Sequence, residues 1–269
     1  MAEKELLKDM YRNYAASLGL KFDARYISGS PLRPVAPVDI ALDGIFFIDG
    51  YPTCRMATFG KERNVPFADI TGALAPERWF DGAKVRDQFQ ARVFERRFLE
   101  PLGLRKKDCW VSTLVKVFLF RKQHMEAYQR LGWPVPEGYY RSDYFDLGYK
   151  SLPWIAREIR EAHPRLVITL GAEVAGVLHA TKTPKHQIAL VKPAIKTLDI
   201  GEVEVPIIHF AHLGLLGRPP DKNNPWPERH KEQFLPMIKD FLSGEYSMSK
   251  QADEEEDDNL SGSVSGETQ

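Results

Sequence analysis

The sequence predicts an α/β protein, a three-layer α/β/α sandwich around a four-stranded parallel sheet, and three observations predict it. Four short apolar runs, "IFFID" (45–49), "CWVSTLVKVF" (109–118), "RLVITL" (165–170) and "VPIIHF" (205–210), have strand length and are rich in β-branched and aromatic residues. Helical patterns fill the intervals between them, the alternation expected of a parallel sheet covered on both faces. At 269 residues the chain is long enough to bury a full core.

Taken in order, residues 1–18 read as a helix, with Leu6, Leu7, Met10, Tyr14 and Leu18 recurring at three- and four-residue spacing. The Pro-rich connector "SPLRPVAPVD" follows, so 1–39 precedes a main domain over 40–245. Within that domain a helix from Arg86 to Leu102 leads into the second apolar run, and "SLPWIAREIREAH" leads into the third. "AEVAGVLHA" makes a helix after Gly171, and "PERHKEQFLPMIKDFL" (227–242) closes the domain. From 246 to 269 the chain is Asp, Glu, Ser and Gly with almost nothing to bury, which predicts a disordered acidic tail. Such a tail is either merely solvated, screens a basic face or docks a partner.

The overall charge balance, 37 basic against 37 acidic residues, conceals that tail. Residues 249–269 hold seven acids and a single base, Lys250, so residues 1–248 carry a net +6. That excess suits either a polyanionic partner or an ordinary surface. Cys54 and Cys109 are too few for a disulfide framework or a four-cysteine metal site, and both flank apolar runs where burial is expected. No signal-like apolar segment and no run near the roughly 18 apolar residues of a membrane span is present, so a soluble, cytoplasmic protein is expected. The motifs Gly-x-Ser-x-Gly and Gly-x-x-x-x-Gly-Lys are absent, and His124, His163, His179, His186 and His230 lack zinc-site spacing. Neither metal nor cofactor is expected.

In open parallel sheets, function collects in the loops beyond the carboxyl ends of the strands. Here these are "DGYPTC", "VFLFRK", "LGAE" and "HFAHLGLLGRPP". Together with "RNVPFADITG", "VSTLVK", "EIREAHPRLVITLGAEVA" and "HLGLLGR", they resemble the motifs of the uracil-DNA glycosylase superfamily, closest to its bacterial iron–sulfur branch, over about residues 40–242. The resemblance implies a glycosylase-like sandwich acting on a nucleotide flipped out of DNA, with Pro52, Pro66, Phe67 and Gly72 in the first motif pair. Tyr51 stands where many members carry Asp or Asn, Thr113 replaces the Asn that reads uracil, and Leu213-Gly214 replaces Pro-Ser after the histidine. The cluster cysteines are missing, so no iron–sulfur centre is expected.

On that resemblance the expected activity is hydrolysis of the bond between base and deoxyribose, by a monomer acting on double- or single-stranded DNA. A damaged or modified pyrimidine is the expected target, as in base-excision repair, with hypermodified phage bases, and hence phage defence, one candidate. His212 would donate to the departing base, and Asp49 would activate water or steady a cationic sugar, with Asp69 the other carboxylate at hand. Asp69 is equally placed to cap a helix starting near Thr71. Tyr51 contacts substrate or walls the pocket. Phe67 stacks on the base or packs in the core; Thr113 offers one hydroxyl to the base; His209 competes with His212, one of them structural. Lys116 and Arg218 suit phosphates or nothing specific, while Leu215 and Leu216 form either a wedge into DNA or a hydrophobic staple. Two other readings stay open: a DNA-binding module on the same scaffold that has lost catalysis, and a hydrolase or transferase of free nucleosides.

Overall fold

The four apolar runs become four parallel strands of one sheet. The computed structural model describes residue 9, residues 12–21 and residues 23–246. Most of the helix expected over 1–18 and the acidic stretch from 247 lie outside the described residues; residues 12–17 are helical (α1), with Tyr14 and Leu18 buried. After the connector come β1 (Ile45–Asp49), a hairpin of β2 (Cys54–Phe59) and β3 (Glu62–Asp69), and a second hairpin of β4 (Arg78–Phe80) and β5 (Val85–Asp87). A helix then runs as α2 (Phe89–Phe94), a π turn (Glu95–Leu99) and α3 (Glu100–Leu102) into β6 (Cys109–Thr113). Next are α4 (Lys122–Arg130), α5 (Tyr144–Ala162), β7 (Leu166–Leu170), α6 (Ala172–Leu178) and α7 (Pro184–Ala189). The chain continues through β8 (Lys196–Asp199), β9 (Glu204–Phe210), α8 (Leu213–Leu216) and α9 (Trp226–Arg229), then a π turn (His230–Phe234) and α10 (Leu235–Ser243).

The sheet order is β6-β1-β7-β9-β8, with β8 antiparallel to β9 and the rest parallel. The expected four-stranded parallel sheet is therefore a mixed sheet of five. The added strand, "KTLD", lies at the edge and buries little, so it carries no apolar run to read. Every residue of β1, β6 and β7 is buried, because both faces are covered. Alternate side chains divide between two cores. Phe46, Ile48, Trp110 and Val167 pack with Ile155 and Ile159 of α5, whereas Phe47, Val111, Ile168 and Phe210 pack with Phe94, Phe98 and Ile238.

Three further departures have local causes. The run 109–118 leaves the sheet at Thr113, where Leu114 and Val115 donate to the carbonyls of Asp49 and Gly50 and carry the chain over the end of β1. "RNVPFADITG" is mostly strand β3; Pro66, which cannot donate to a ladder, sits opposite Met56 beside a register shift. The helix expected from Arg86 starts at Phe89, because Asp81 accepts from the backbone of Ala83 (2.8 Å) and Lys84 (2.7 Å) and closes the β4–β5 turn. No helix among the described residues is long and apolar enough to cross a membrane.

Candidate active site at the carboxyl ends of the strands

The register aligns Asp49 with Thr113 on one side and Leu170 on the other, and Leu170 with Phe210. The carboxyl ends of all four parallel strands thus form one row, and strand order reverses between β1 and β7. A crevice is expected at such a reversal. A cavity of about 660 Å³ lies there, lined by Asp49, Gly50 and Tyr51 after β1, by Leu170 to Val174 around β7, and by Ala211, His212 and Leu215 after β9. Met56 and Asn64 of the first hairpin, Gln90 of α2, Phe118, Arg141, Tyr144 and Trp226 are among the other residues of its walls. Gly171, at φ +123°, occupies a conformation that side chains disfavour and brings the start of α6 close to His212.

Asp49 is buried at the end of β1, and its Oδ1 accepts from the Gly50 backbone N–H at 2.8 Å. Burial raises its pKa above the usual carboxylate value, opposed by the charge of His212 and by the Gly50 N–H. A carboxyl of raised pKa in a cavity is the kind of group that moves protons near neutrality.

His212 is the N-cap of α8, and its Nδ1 accepts from the Gly214 N–H at 3.0 Å. That bond leaves the imidazole proton on Nε2, which lies 3.3 Å from Gln90 Nε2. Two N–H groups cannot bond to each other, while Gln90 Oε1 is buried without a partner among the described residues. Turning the Gln90 amide over satisfies both groups, with Oε1 accepting from His212 Nε2–H. In that tautomer His212 carries its N–H on Nε2, bonded to Gln90 at the cavity wall.

A cationic rim faces this pair. The Arg141 guanidinium lies 4.5 Å from the Tyr144 ring centre and 5.5 Å from that of Tyr51, and it pairs with Glu173. Arg121 Nε donates to the Tyr51 hydroxyl at 3.2 Å. The Tyr144 hydroxyl, buried beside Gly50, has no hydrogen-bond partner among the described residues.

Of the candidate site residues read from the sequence, Asp49, Tyr51, His212 and Leu215 line this cavity, and Phe67, Thr113, His209, Lys116, Leu216 and Arg218 do not; His124 lines it as well. His209 points to the opposite side of the strand, between Thr169 Oγ1 (2.8 Å) and His179 Nε2 (2.9 Å), so it does not share this cavity with His212. Phe67 is half-buried on β3 against the core that includes Phe46, and so is not a stacking face in this cavity. Thr113 is buried outside the lining, its hydroxyl without a partner among the described residues. Lys116, 0% exposed, pairs with Glu158 at 2.7 Å and donates to Ser112; no phosphate can reach it. Leu216 is 1% exposed and belongs to the core, which removes it as a wedge, and Arg218 is exposed outside the lining. Asp69 caps no helix at Thr71; it accepts from the Tyr26 hydroxyl (2.6 Å) and the Arg33 N–H (2.9 Å).

Gln90, Arg141, Tyr144 and Trp226 reach the cavity from helices that begin just outside it. None sits in a strand-end loop, where the sequence signals concentrate. Among the described residues, no three His, Cys, Asp or Glu side chains gather as a metal site requires. The sequence matches no family model, and no curated protein matches it either.

Proposed function

We propose that the protein is a DNA glycosylase, hydrolysing the N-glycosidic bond of a flipped-out damaged or modified pyrimidine to leave an abasic site on a glycosylase-like scaffold. The observation that carries this reading is the joint presence of Asp49 and His212, from the first and last parallel strands, at the wall of one cavity. As the bond breaks, positive charge grows on the sugar and negative charge on the base. Buried Asp49, once ionised, steadies the first and directs water to the sugar carbon; His212 Nε2–H, given up by Gln90 when the base enters, turns to the second. Water supplies the hydroxyl to the sugar and the proton to the departing base. Phe118, Tyr51, Tyr144 and Trp226 supply the aromatic walls that Phe67 does not. The cavity falls within the about 300–1,000 Å³ of small-molecule pockets, room for a pyrimidine with a substituent.

The test is incubation with duplexes carrying uracil, hydroxymethylcytosine or glucosylated bases, followed by alkaline cleavage at abasic sites. Cleavage is expected with at least one duplex, and His212→Ala should lower its rate by about 10²–10³. Silence on every substrate overturns the reading. One observation favours a second reading: with Leu216 in the core, the loop after β9 has little to insert into DNA. A nucleoside hydrolase needs no wedge and would release base from free nucleosides in the same assay.

A further inference from the structure

The β4–β5 hairpin leaves one face bare. Its register pairs Arg78 with Asp87, Trp79 with Arg86 and Phe80 with Val85. Trp79 and Arg86 turn inward, Trp79 Nε1 donating to the Met56 carbonyl at 2.8 Å and Arg86 pairing with Asp81. Phe80 and Val85 turn outward, 64% and 58% exposed. A phenylalanine so exposed beside the turn of a tight hairpin covers little of its own chain.

The hairpin is also fastened to the mouth of the cavity. Met56, which takes the Trp79 bond, lines the cavity, as does Thr53, whose hydroxyl accepts from Gln88 just after β5. Two residues further on, Gln90 meets His212. The β2–β3 hairpin lies alongside, since the Thr58 N–H donates to the Asp81 carbonyl at 2.7 Å.

The charge around this face is one-sided. Glu62, Glu77, Asp81 and Asp87 are paired with Arg130, Arg55, Arg86 and Arg92. Lys61, Arg63, Arg78 and Lys84 are exposed on the same two hairpins and make no ion pair among the described residues. Four spare cations around an exposed aromatic fit a polyanion that offers flat apolar faces between its charges, which is a nucleic acid strand.

We propose that the β4–β5 hairpin is the element that enters DNA, Phe80 stacking on or between the bases beside the flipped nucleotide while Lys61, Arg63, Arg78 and Lys84 hold the flanking phosphates. This deepens the glycosylase reading and rests on it. It replaces Leu215 and Leu216 as the wedge.

The test uses the full chain and a fluorescein-labelled duplex containing a tetrahydrofuran abasic analogue with 2-aminopurine next to it. Wild type should bind and raise 2-aminopurine fluorescence as the neighbouring base unstacks. Phe80→Ala should weaken binding about tenfold and abolish the rise, as expected for loss of one aromatic–base contact. Lys84→Ala should keep the rise but reduce the salt dependence of binding by about one phosphate contact. Both positions are exposed, and unchanged circular dichroism melts would certify the folds. If Phe80→Ala binds and unstacks as wild type does, the hairpin assignment falls while base excision by wild type leaves the glycosylase reading standing. If wild type binds no duplex, or Phe80→Ala abolishes only self-association, the hairpin assignment falls as well. Loss of stacking in Phe80→Ala without excision by wild type would sink the glycosylase chemistry alone.

Discussion

On the proposed base excision, His212 and Asp49 would divide the labour, one as hydrogen-bond donor and the other as carboxylate. The Gly214 N–H fixes the His212 tautomer from one side and Gln90 fixes its orientation from the other, so the ring presents N–H rather than a lone pair. In the proposed reaction Asp49 would act ionised, yet burial raises its pKa. The rate of base excision should therefore climb with pH along a limb displaced above the usual carboxylate range, because the deprotonated form is the active one. Asp49→Asn should lose that limb and about 10²–10⁴ in rate, measured as single-turnover excision across the acid range. If the limb survives in Asp49→Asn, another group sets it. At this scale the sequence is informative where a residue directly follows a strand or ends one, as Asp49 ends β1. It is uninformative for Gln90, whose role depends on a ring 122 positions away.

At the scale of elements, the segment after β6 is held by a polar knot beneath the sheet. Lys116 pairs with Glu158 of α5, Trp110 donates to the same carboxylate at 3.3 Å, and the Tyr14 hydroxyl joins the Lys116 backbone to Ser151. Both ionic partners are fully buried. Lys116→Met should destabilise the fold by about 3–5 kcal/mol, since it strands a buried carboxylate. Lys116→Met with Glu158→Leu should recover most of that loss in urea melts, because an apolar pair leaves no charge behind. Recovery absent from the double variant would show that the knot supplies more than charge balance. In the sequence Lys116 suits a phosphate or nothing specific; here the chain crosses β1 and turns it inward. The two hairpins are equally hidden, their short strands mixing charged and apolar residues where burial is only partial.

For the whole molecule, buried histidines should govern behaviour in acid. Burial lowers the pKa of His209 to about 3 and those of His124 and His230 to about 4. A depressed pKa contributes stability that is present above the unfolded value, about 6.5 for histidine, and is lost as pH falls through the folded one. Asp69 has the opposite sign: raised by burial to about 6, it contributes stability below about pH 3.9 that is lost as pH rises through about 6. Asp49 is raised as well and His179 lowered, so four histidines against two carboxyls predict a melting temperature that falls on acidification from about pH 6.5 towards 4. His230→Phe, placed against Phe98 and Phe210, should flatten the fall. A flat profile in the wild type would remove these histidines as the cause.

The sequence by itself determined the parallel strands and the helices between them, because strands buried on both faces must be apolar throughout. It also marked the strand ends as the place to look for chemistry. Only the tertiary structure decided which side chains meet there. Alternation along β9 sends His209 to one side, and the cap of α8 holds His212 over the cavity on the other. Direction about a strand or at a helix cap depends on neighbours far away in the chain, and no local pattern encodes it.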